Sequence, residues 1–302
     1  MRKAFADVFC TVHITKMLNS MLTYVIQKKY YFCLNCMSEN KTHYTSDDFS
    51  LSRANTYSLL LQADVNHFDY AVLQDKQLLQ WGTGFSTDEL RDPSDLRDIL
   101  TANYKRVLIG LKADALTLLP AALYEQAHIA DAARLLDVKD NEKVLVEPLD
   151  EVNYNIYKVD EALLYAVKDL DNRQITHADM GWIKAVSANY PTNTSLYVHV
   201  GYECVSVLNY HYSKLRFYNC FSFKNHEELA YFCALVCKEI DLEPSKARLY
   251  ISGDMNTTDG YFTYLKAFFG EVNLNSASVI NLPATVAAHQ ILSLAALSLC
   301  AS

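Results

Sequence analysis

Hydrophobic residues occur along most of the chain in short runs that are separated by turn-forming residues. Three runs predict strands joined by tight turns: SLLLQA at 58–63, FDYAVLQ at 68–74 and QLLQWG at 77–82. A helix is expected next, with Asp92 as its N-cap and Pro93 in its first turn. KRVLIGL at 105–111 then predicts a buried strand, and a further helix is expected to open near Pro120.

The second half of the chain repeats this order. Its three runs are SLYVHV at 195–200, CVSVLNY at 204–210 and KLRFYNCFSF at 214–223. Asn225 and Glu228 form a capping-box-like start to a helix. In such a box the side chain of each residue accepts a hydrogen bond from the backbone N–H of the other. ARLYIS at 247–252 predicts the next strand, and Thr257 or Thr258 is expected to cap the last helix of the unit. A β-β-β-α-β-α order that occurs twice predicts an internal duplication.

The chain divides into four segments on this pattern. Residues 1–36 carry five basic residues and one acid, a net charge of 5 − 1 = +4, and are predicted to be a leader or an incorrectly assigned start, with translation beginning at Met37. The other segments are a polar lead-in at 37–56, a first lobe at 57–190 with a possible small insertion at 143–175, and a second lobe at 191–302.

Composition narrows the function classes. The net charge is 27 − 35 = −8 and no Lys/Arg stripe occurs, so the phosphate-neutralising surface that nucleic-acid binding needs is not expected. The most apolar long stretch, residues 283–300, contains His289 and Gln290 and predicts a buried amphipathic helix rather than a membrane span. Cys33 and Cys36 form a lone C-x-x-C, so no zinc site is predicted, and a reducing cytoplasm is the expected compartment.

Two consecutive lobes of this order resemble the actin, Hsp70 and sugar-kinase superfamily. More narrowly, residues 57 to about 283 resemble an uncharacterised family of Bacteroidota proteins that is known as a domain of unknown function. The resemblance is carried by SLYVHVGYECVSVLNYHYSKLRFYNCFSF at 195–223, LAYFCALV at 229–236 and LYISGD at 249–254. It implies an α/β fold of two duplicated ribonuclease-H-like (actin-like) lobes, with mixed β-sheets flanked by helices, and no assigned activity.

Members of the superfamily that hydrolyse ATP hold its phosphates between two hairpin turns, one from each lobe. Such turns need glycines, because only a backbone without Cβ can approach phosphate oxygens closely. In the first turn, Asp64 stands where an acid is expected, but Asn66 and His67 replace glycines. In the second turn, His199 takes the place of the expected Asp, and Gly201 is its one glycine.

The third element of a nucleotide site is the turn after 247–252, where Gly253 precedes Asp254. A carboxylate at this place would repel a phosphate group. The residues that remain as remnants of a cleft are Asp64, Asn66, Gly201, Glu203, Gly253 and Asp254. No catalytic residue, bound cofactor or metal ligand is predicted.

The predicted function is therefore that of a non-catalytic, actin-like interaction or scaffold protein with a protein partner, in the cytoplasm. One alternative is a weak ATP-binding switch that uses Asp64, Gly201 and the Gly253 turn, or an ATPase of the superfamily. Another is a ribonuclease-H-like nuclease with Asp64 as its first metal ligand. Asp69 is expected to be a solvated strand residue, and the aromatic residues of 210–223 are expected to pack in the core.

Overall fold

A computed structural model of the protein describes residues 41–301. The predicted leader at 1–36 and the proposed start at Met37 lie outside the described residues. The strands are β1 Lys41–Thr45, β2 Ser58–Ala63, β3 His67–Gln74, β4 Gln77–Ser86, β5 Arg106–Leu111, β6 Ala115–Pro120, β7 Glu142–Pro148, β8 Asn153–Asp160, β9 Arg173–His177, β10 Ser195–Val200, β11 Cys204–His211, β12 Lys214–Ser222, β13 Arg248–Gly253 and β14 Glu271–Leu274.

The helices connect and cover these strands. The α-helices are α1 Asp88–Arg91, α2 Arg97–Leu100, α3 Gln126–Arg134, α4 Glu161–Ala166, α5 Met180–Ser187, α6 His226–Glu239, α7 Gly260–Leu265 and α8 Ala288–Ala296. Short 3-10 helices occur at Leu51–Thr56, Ala121–Leu123, Pro244–Lys246 and Leu297–Cys300. No helix between residues 41 and 301 is long and apolar enough to cross a membrane.

Two mixed sheets carry the two predicted meanders. The six-stranded sheet has the order β1-β4-β3-β2-β5-β9, and the five-stranded sheet has the order β12-β11-β10-β13-β14. In each, an antiparallel meander is followed by two parallel strands. The α/β fold class is thereby confirmed. Ser58 pairs with Arg106 and Ser195 pairs with Arg248, so β2 and β10 occupy equivalent places in the two sheets. The duplication itself stays a prediction.

A third sheet of three strands, in the order β6-β8-β7, lies between β5 and β9 in sequence. It overlaps the predicted insertion at 143–175, but its first strand, β6, was not predicted. Near Pro120, where a helix is expected to open, the structure has the end of β6 followed by the short 3-10 helix Ala121–Leu123, and the α-helix α3 begins at Gln126. The buried ion pair of Lys158 and Glu142, 2.8 Å apart, ties β8 to β7.

Helix N-termini confirm one predicted cap and overturn two. The Asn225 side chain accepts a hydrogen bond from the Glu228 amide at 2.9 Å, as predicted. The N-cap of α7 is Asp259 rather than Thr257 or Thr258. Asp92 is the C-cap of α1 and not an N-cap. The amides at 94, 95 and 96, just before α2, donate hydrogen bonds to the Glu89 carboxylate.

The C-terminal helix α8 packs against both large sheets. Ile291 and Leu294 lie in a core cluster with Leu60 of β2, whereas Leu292 lies in a cluster with Tyr197 of β10. This confirms a buried helix within 283–300, although the α-helix is shorter than the apolar stretch. Residues of the predicted second lobe therefore also complete the core of the six-stranded sheet. The predicted lobe boundaries stay predictions.

Candidate functional site

The first candidate turn joins β2 to β3 and is held together by Asp64. The Oδ1 atom of Asp64 accepts hydrogen bonds from the amides of Asn66 and His67, both at 2.7 Å. The Asn66 carbonyl oxygen accepts a hydrogen bond from the Thr87 amide at 3.0 Å, and the Thr87 hydroxyl donates to the Asp64 carbonyl oxygen at 3.1 Å. The acid that matches a nucleotide-site position thus stabilises its own turn.

The second candidate turn joins β10 to β11 and reaches across to the first. The Gly201 amide donates to the Cys204 carbonyl oxygen at 2.9 Å, while Tyr202 and Glu203 are exposed. The Tyr202 hydroxyl donates to Oδ1 of Asp69 at 3.0 Å. Its ring lies 5.1 Å from the His67 ring, measured between centroids. The two turns are therefore in direct side-chain contact.

The Asp69 carboxyl group of this site has a raised pKa, and the expectation that Asp69 is a solvated strand residue is wrong. It is half-buried on β3 and also accepts a hydrogen bond from the Gly84 amide at 2.8 Å. Burial raises the pKa of Asp69 to about 6, the hydrogen bonds from Gly84 and Tyr202 oppose this rise, and the charges of Asp64 and Asp254 add to it. Sequence reasoning missed this environment because Tyr202 is 133 residues away along the chain.

The third candidate element is the end of β13. Gly253 has a φ of +104°, and a Cβ atom on it would lie 2.0 Å from the Val200 carbonyl oxygen. A glycine is therefore required here for the parallel pairing of β13 with β10, independently of any ligand. The adjacent Asp254 accepts a hydrogen bond of 3.5 Å from the Gln290 side chain of α8.

Lys112, directly after β5, brings a positive charge to this region. Burial disfavours its ammonium form, but contacts with the Cys204 thiol and the nearby Cys220 and Asp64 outweigh burial and raise the pKa of Lys112. Lys112 lies in the KRVLIGLKAD segment at 105–114, where the sequence predicts no site residue. A lysine immediately after a buried strand is the signal that could have suggested it.

Behind the turns, a buried polar cluster joins the two large sheets. Asp179 occupies the N-cap position of α5, yet its Oδ2 atom accepts hydrogen bonds from the Tyr218 hydroxyl at 2.9 Å and from the Ser206 hydroxyl. The Asp179 amide in turn donates to Nδ1 of His177 at 3.3 Å. Burial lowers the pKa of His177, so its neutral form is favoured. Side chains from β9, β11, β12 and the N-cap of α5 thus satisfy one another's hydrogen bonds across the junction.

Of the six residues predicted as remnants of a cleft, some belong to the contacting turns and others are exposed at the surface. Asp64 and Asp254 both act electrostatically on Asp69, so three carboxyl groups gather beside the two turns. Gly201 and Gly253 contribute backbone geometry, whereas the side chains of Asn66 and Glu203 are exposed. Among residues 41–301, no group of three His, Cys, Asp or Glu side chains is arranged to hold a metal ion.

A family model, described as "Protein of unknown function (DUF3822)", matches residues 46–272. The chain belongs to this family. The predicted resemblance to an uncharacterised family with an actin-like fold is confirmed. A comparison with curated proteins finds no match to the DUF3822 chain.

Solved structures confirm the fold. A Bacteroides thetaiotaomicron protein with an actin-like ATPase fold and unknown function is 17% identical at a TM-score of 0.67, over 83% of the DUF3822 chain and 98% of its own.

Two further structures are less similar. One is the cytoplasmic domain of EpsL, an inner membrane component of the type II secretion system of Vibrio cholerae, which is 11% identical at a TM-score of 0.47, over 82% of the DUF3822 chain and 96% of its own. The other is the PilM-PilN type IV pilus biogenesis complex, which is 12% identical at a TM-score of 0.49, over 80% of the DUF3822 chain and 98% of its own.

Proposed function

We propose that this DUF3822 protein is a non-catalytic, actin-like interaction or scaffold component that does not hydrolyse ATP. The observation that carries the proposal is the direct contact between the two candidate turns. The Tyr202 hydroxyl donates to Asp69 and the Tyr202 ring packs beside His67. In nucleotide-binding members of the superfamily, the triphosphate lies between these turns. Here the side chains of the two turns contact each other directly.

The charges around the turns support the same proposal. Asp64, Asp69 and Asp254 are close enough for the first and third to raise the pKa of the second. A bound triphosphate would add further negative charge. Two like charges 4 Å apart repel by about 1 kcal/mol even in bulk water, and by more where solvent is partly excluded. Without a bound cation, these carboxyl groups disfavour a nucleotide.

The partner of such a scaffold is expected to be another protein. The net charge of −8 argues against a nucleic-acid partner, because phosphates would be repelled. None of the five cysteines within residues 41–301 forms a disulfide; they are Cys204, Cys220, Cys233, Cys237 and Cys300. Free thiols are typical of a reducing compartment and support a cytoplasmic location.

Lys112 favours one alternative, a weak nucleotide-dependent switch. Lys112 is half-buried, and its ammonium group lies near Asp64 and the second turn. In that alternative it donates a hydrogen bond to a phosphate oxygen. In that case Lys112→Met would abolish any nucleotide-dependent effect. The scaffold proposal instead predicts that Lys112→Met leaves the response to nucleotide unchanged, since there is none to lose.

Phosphate release from Mg-ATP tests the absence of turnover. The matched variant is Asp64→Asn, which keeps the Oδ1 acceptor of the turn but removes the charge at the position of the expected acid. We expect the wild type and the variant to release phosphate equally, at the background rate of the preparation. Release by the wild type that Asp64→Asn abolishes would contradict the proposal.

The scaffold role needs its own test. Affinity capture of the full-length protein from its native cell, with and without Mg-ATP, is expected to return the same partner protein in both arms. Capture that is reproducibly empty would count against an interaction role.

A further inference from the structure

Two thiol groups lie beside the Lys112 ammonium group where the two large sheets meet. Ser206 of β11 pairs with Cys220 of β12, so Cys204, two residues before Ser206, lies on the same face as Cys220. That face points into the junction, because the Ser206 hydroxyl donates to the Asp179 carboxylate. The Cys204 thiol contacts both the Cys220 thiol and the Lys112 ammonium group. Two nucleophilic sulfur atoms and one cation therefore meet in one place.

The groups around Cys204 favour its thiolate, which is the nucleophilic form of cysteine. The hydrogen bond from Cys220 and the positive charge of Lys112 lower the pKa of Cys204, although burial and the charge of Asp179 oppose them. The pKa of Cys220 is raised, because its thiol gives that hydrogen bond and is itself buried. Cys204 is therefore the nucleophile of the pair, and Cys220 keeps its proton while Cys204 is charged.

The other cysteines of residues 41–301 have a different environment. Cys233 and Cys237 lie on α6 in an apolar core cluster, and burial raises the pKa of Cys237 to about 12. Burial also raises the pKa of Cys233 and of Cys300. These thiols are inert by comparison and provide internal controls for the reactivity of Cys204.

The second turn leaves space for a small oxidant beside the Cys204 sulfur atom. Cys204 is the first residue of β11 and follows the exposed residues Tyr202 and Glu203. A Cβ atom on Gly201 would lie 3.4 Å from the Cys204 sulfur. Within residues 41–301, apart from Gly201 and its chain neighbours, no residue other than Cys204 comes within 4 Å of that position. The missing side chain of Gly201 therefore leaves room for an oxygen atom in contact with the sulfur.

The position of the pair also suits a disulfide bond. Diagonal neighbours on adjacent antiparallel strands have Cα atoms about 7–8 Å apart, and a disulfide spans up to about 7 Å, so a shift of about 1 Å closes the bond. Such a shift is needed only at strand ends, because Cys204, the first residue of β11, pairs with Ser222, the last residue of β12.

We propose that Cys204 and Cys220 form a peroxide-reactive dithiol site, in which Cys204 attacks a hydroperoxide, Lys112 stabilises its thiolate and Cys220 closes a disulfide. In the first step, the Cys204 sulfur bonds to the hydroxyl oxygen of the peroxide, the O–O bond breaks, and the leaving oxygen takes up a proton as water or an alcohol. Two electrons pass from sulfur to peroxide. In the second step, the Cys220 sulfur forms the S–S bond, the S–O bond breaks, and the hydroxide leaves with the Cys220 proton as water. This site does not depend on the proposed function, since it involves neither ATP nor a partner.

Mass spectrometry of the reduced full-length protein after exposure to hydrogen peroxide tests the site. Trypsin releases Cys204 and Cys220 in separate peptides, 185–214 and 217–224, because each ends in lysine and follows lysine or arginine. We expect a disulfide to join these peptides at least about ten times faster than the two cysteines of α6 are oxidised. In Cys220→Ser, Cys204 should instead accumulate as a sulfenic acid that dimedone traps. In Cys204→Ser, Cys220 should react no faster than the cysteines of α6.

Two variants of Lys112 separate its charge from its packing. Lys112→Met should move the alkylation of Cys204 by iodoacetamide to higher pH and slow its oxidation at neutral pH by at least about tenfold, whereas Lys112→Arg keeps the charge and should resemble the wild type. A melting temperature equal to that of the wild type shows that each variant is folded. Wild-type Cys204 that is oxidised no faster than the cysteines of α6, a disulfide from Cys204 to a cysteine other than Cys220, or an unchanged pH profile in Lys112→Met would each overturn the inference.

Discussion

At the scale of single residues, the site is governed by groups whose roles are structural. Gly253 provides close backbone approach between β13 and β10, and Asp64 closes the first turn with its own carboxylate. Asp69 and Tyr202 then link the two turns. Residues that would be interpreted as remnants of a nucleotide site thus have other physical reasons to be present.

Gly253→Ala should destabilise the protein by about 2–5 kcal/mol, because a positive φ and a clash with the Val200 carbonyl oxygen act together. Gly260→Ala is the matched control, since no atom lies within 4 Å of a Cβ at Gly260, and should change stability by less than about 0.5 kcal/mol. Urea unfolding of both variants measures the difference. Equal stabilities would contradict the structural role of Gly253.

Asp69 should make stability depend on pH. In the folded protein Asp69 keeps its proton up to about pH 6, whereas in the unfolded chain it titrates near 3.8. Because its folded pKa is raised, its contribution is complete below pH 3.8 and is lost as the pH rises to about 6. Asp69→Asn removes this loss, so the stability of the variant relative to the wild type should increase between these pH values and then level off.

Thermal unfolding of the wild type and Asp69→Asn from pH 4 to 8 measures this effect. Tyr202→Phe provides a second test, because loss of the hydroxyl donor should raise the pKa of Asp69 and shift the transition to higher pH. A difference between wild type and Asp69→Asn that does not change with pH would show that Asp69 is not perturbed.

At the scale of elements, strand ends and helix starts decide how the site is built. β2 and β10 end at the two turns. Asp179 is the N-cap residue of α5, but its carboxylate accepts hydrogen bonds across the junction instead of capping its own helix. The starts of α2 and α6 are satisfied locally by Glu89 and Asn225. Local capping therefore holds the flanking helices, and long-range hydrogen bonds hold the junction.

Asn225→Ala should lower the free energy of unfolding by about 1 kcal/mol, because the Glu228 amide at the start of α6 loses its acceptor. Asn225→Asp keeps an acceptor oxygen at the same place and should remain close to the wild type. Chemical denaturation with constant m-values distinguishes the two variants. Equal losses in both would mean that the cap does not stabilise α6.

At the scale of the whole molecule, the two large sheets are joined by α8 and by the polar cluster around Asp179. The sequence predicts both meanders, because their apolar runs and turn residues are local signals, and it predicts Asn225 as a cap for the same reason. It does not predict β6, since ALTLLP shows no polar alternation and ends in proline. Nor does it predict the Asp69 and Asp179 contacts, which exist only once distant strands are brought together.

The proposed function requires that the contact between the two turns, made by Tyr202 with Asp69 and His67, leaves no site for a nucleotide. The most direct test is thermal unfolding of the full-length protein with Mg²⁺ alone and with millimolar Mg-ATP. A ligand at 100 times its Kd would stabilise the folded state by about 2.7 kcal/mol. The account predicts the same melting temperature in both conditions. A clear rise with Mg-ATP would contradict it.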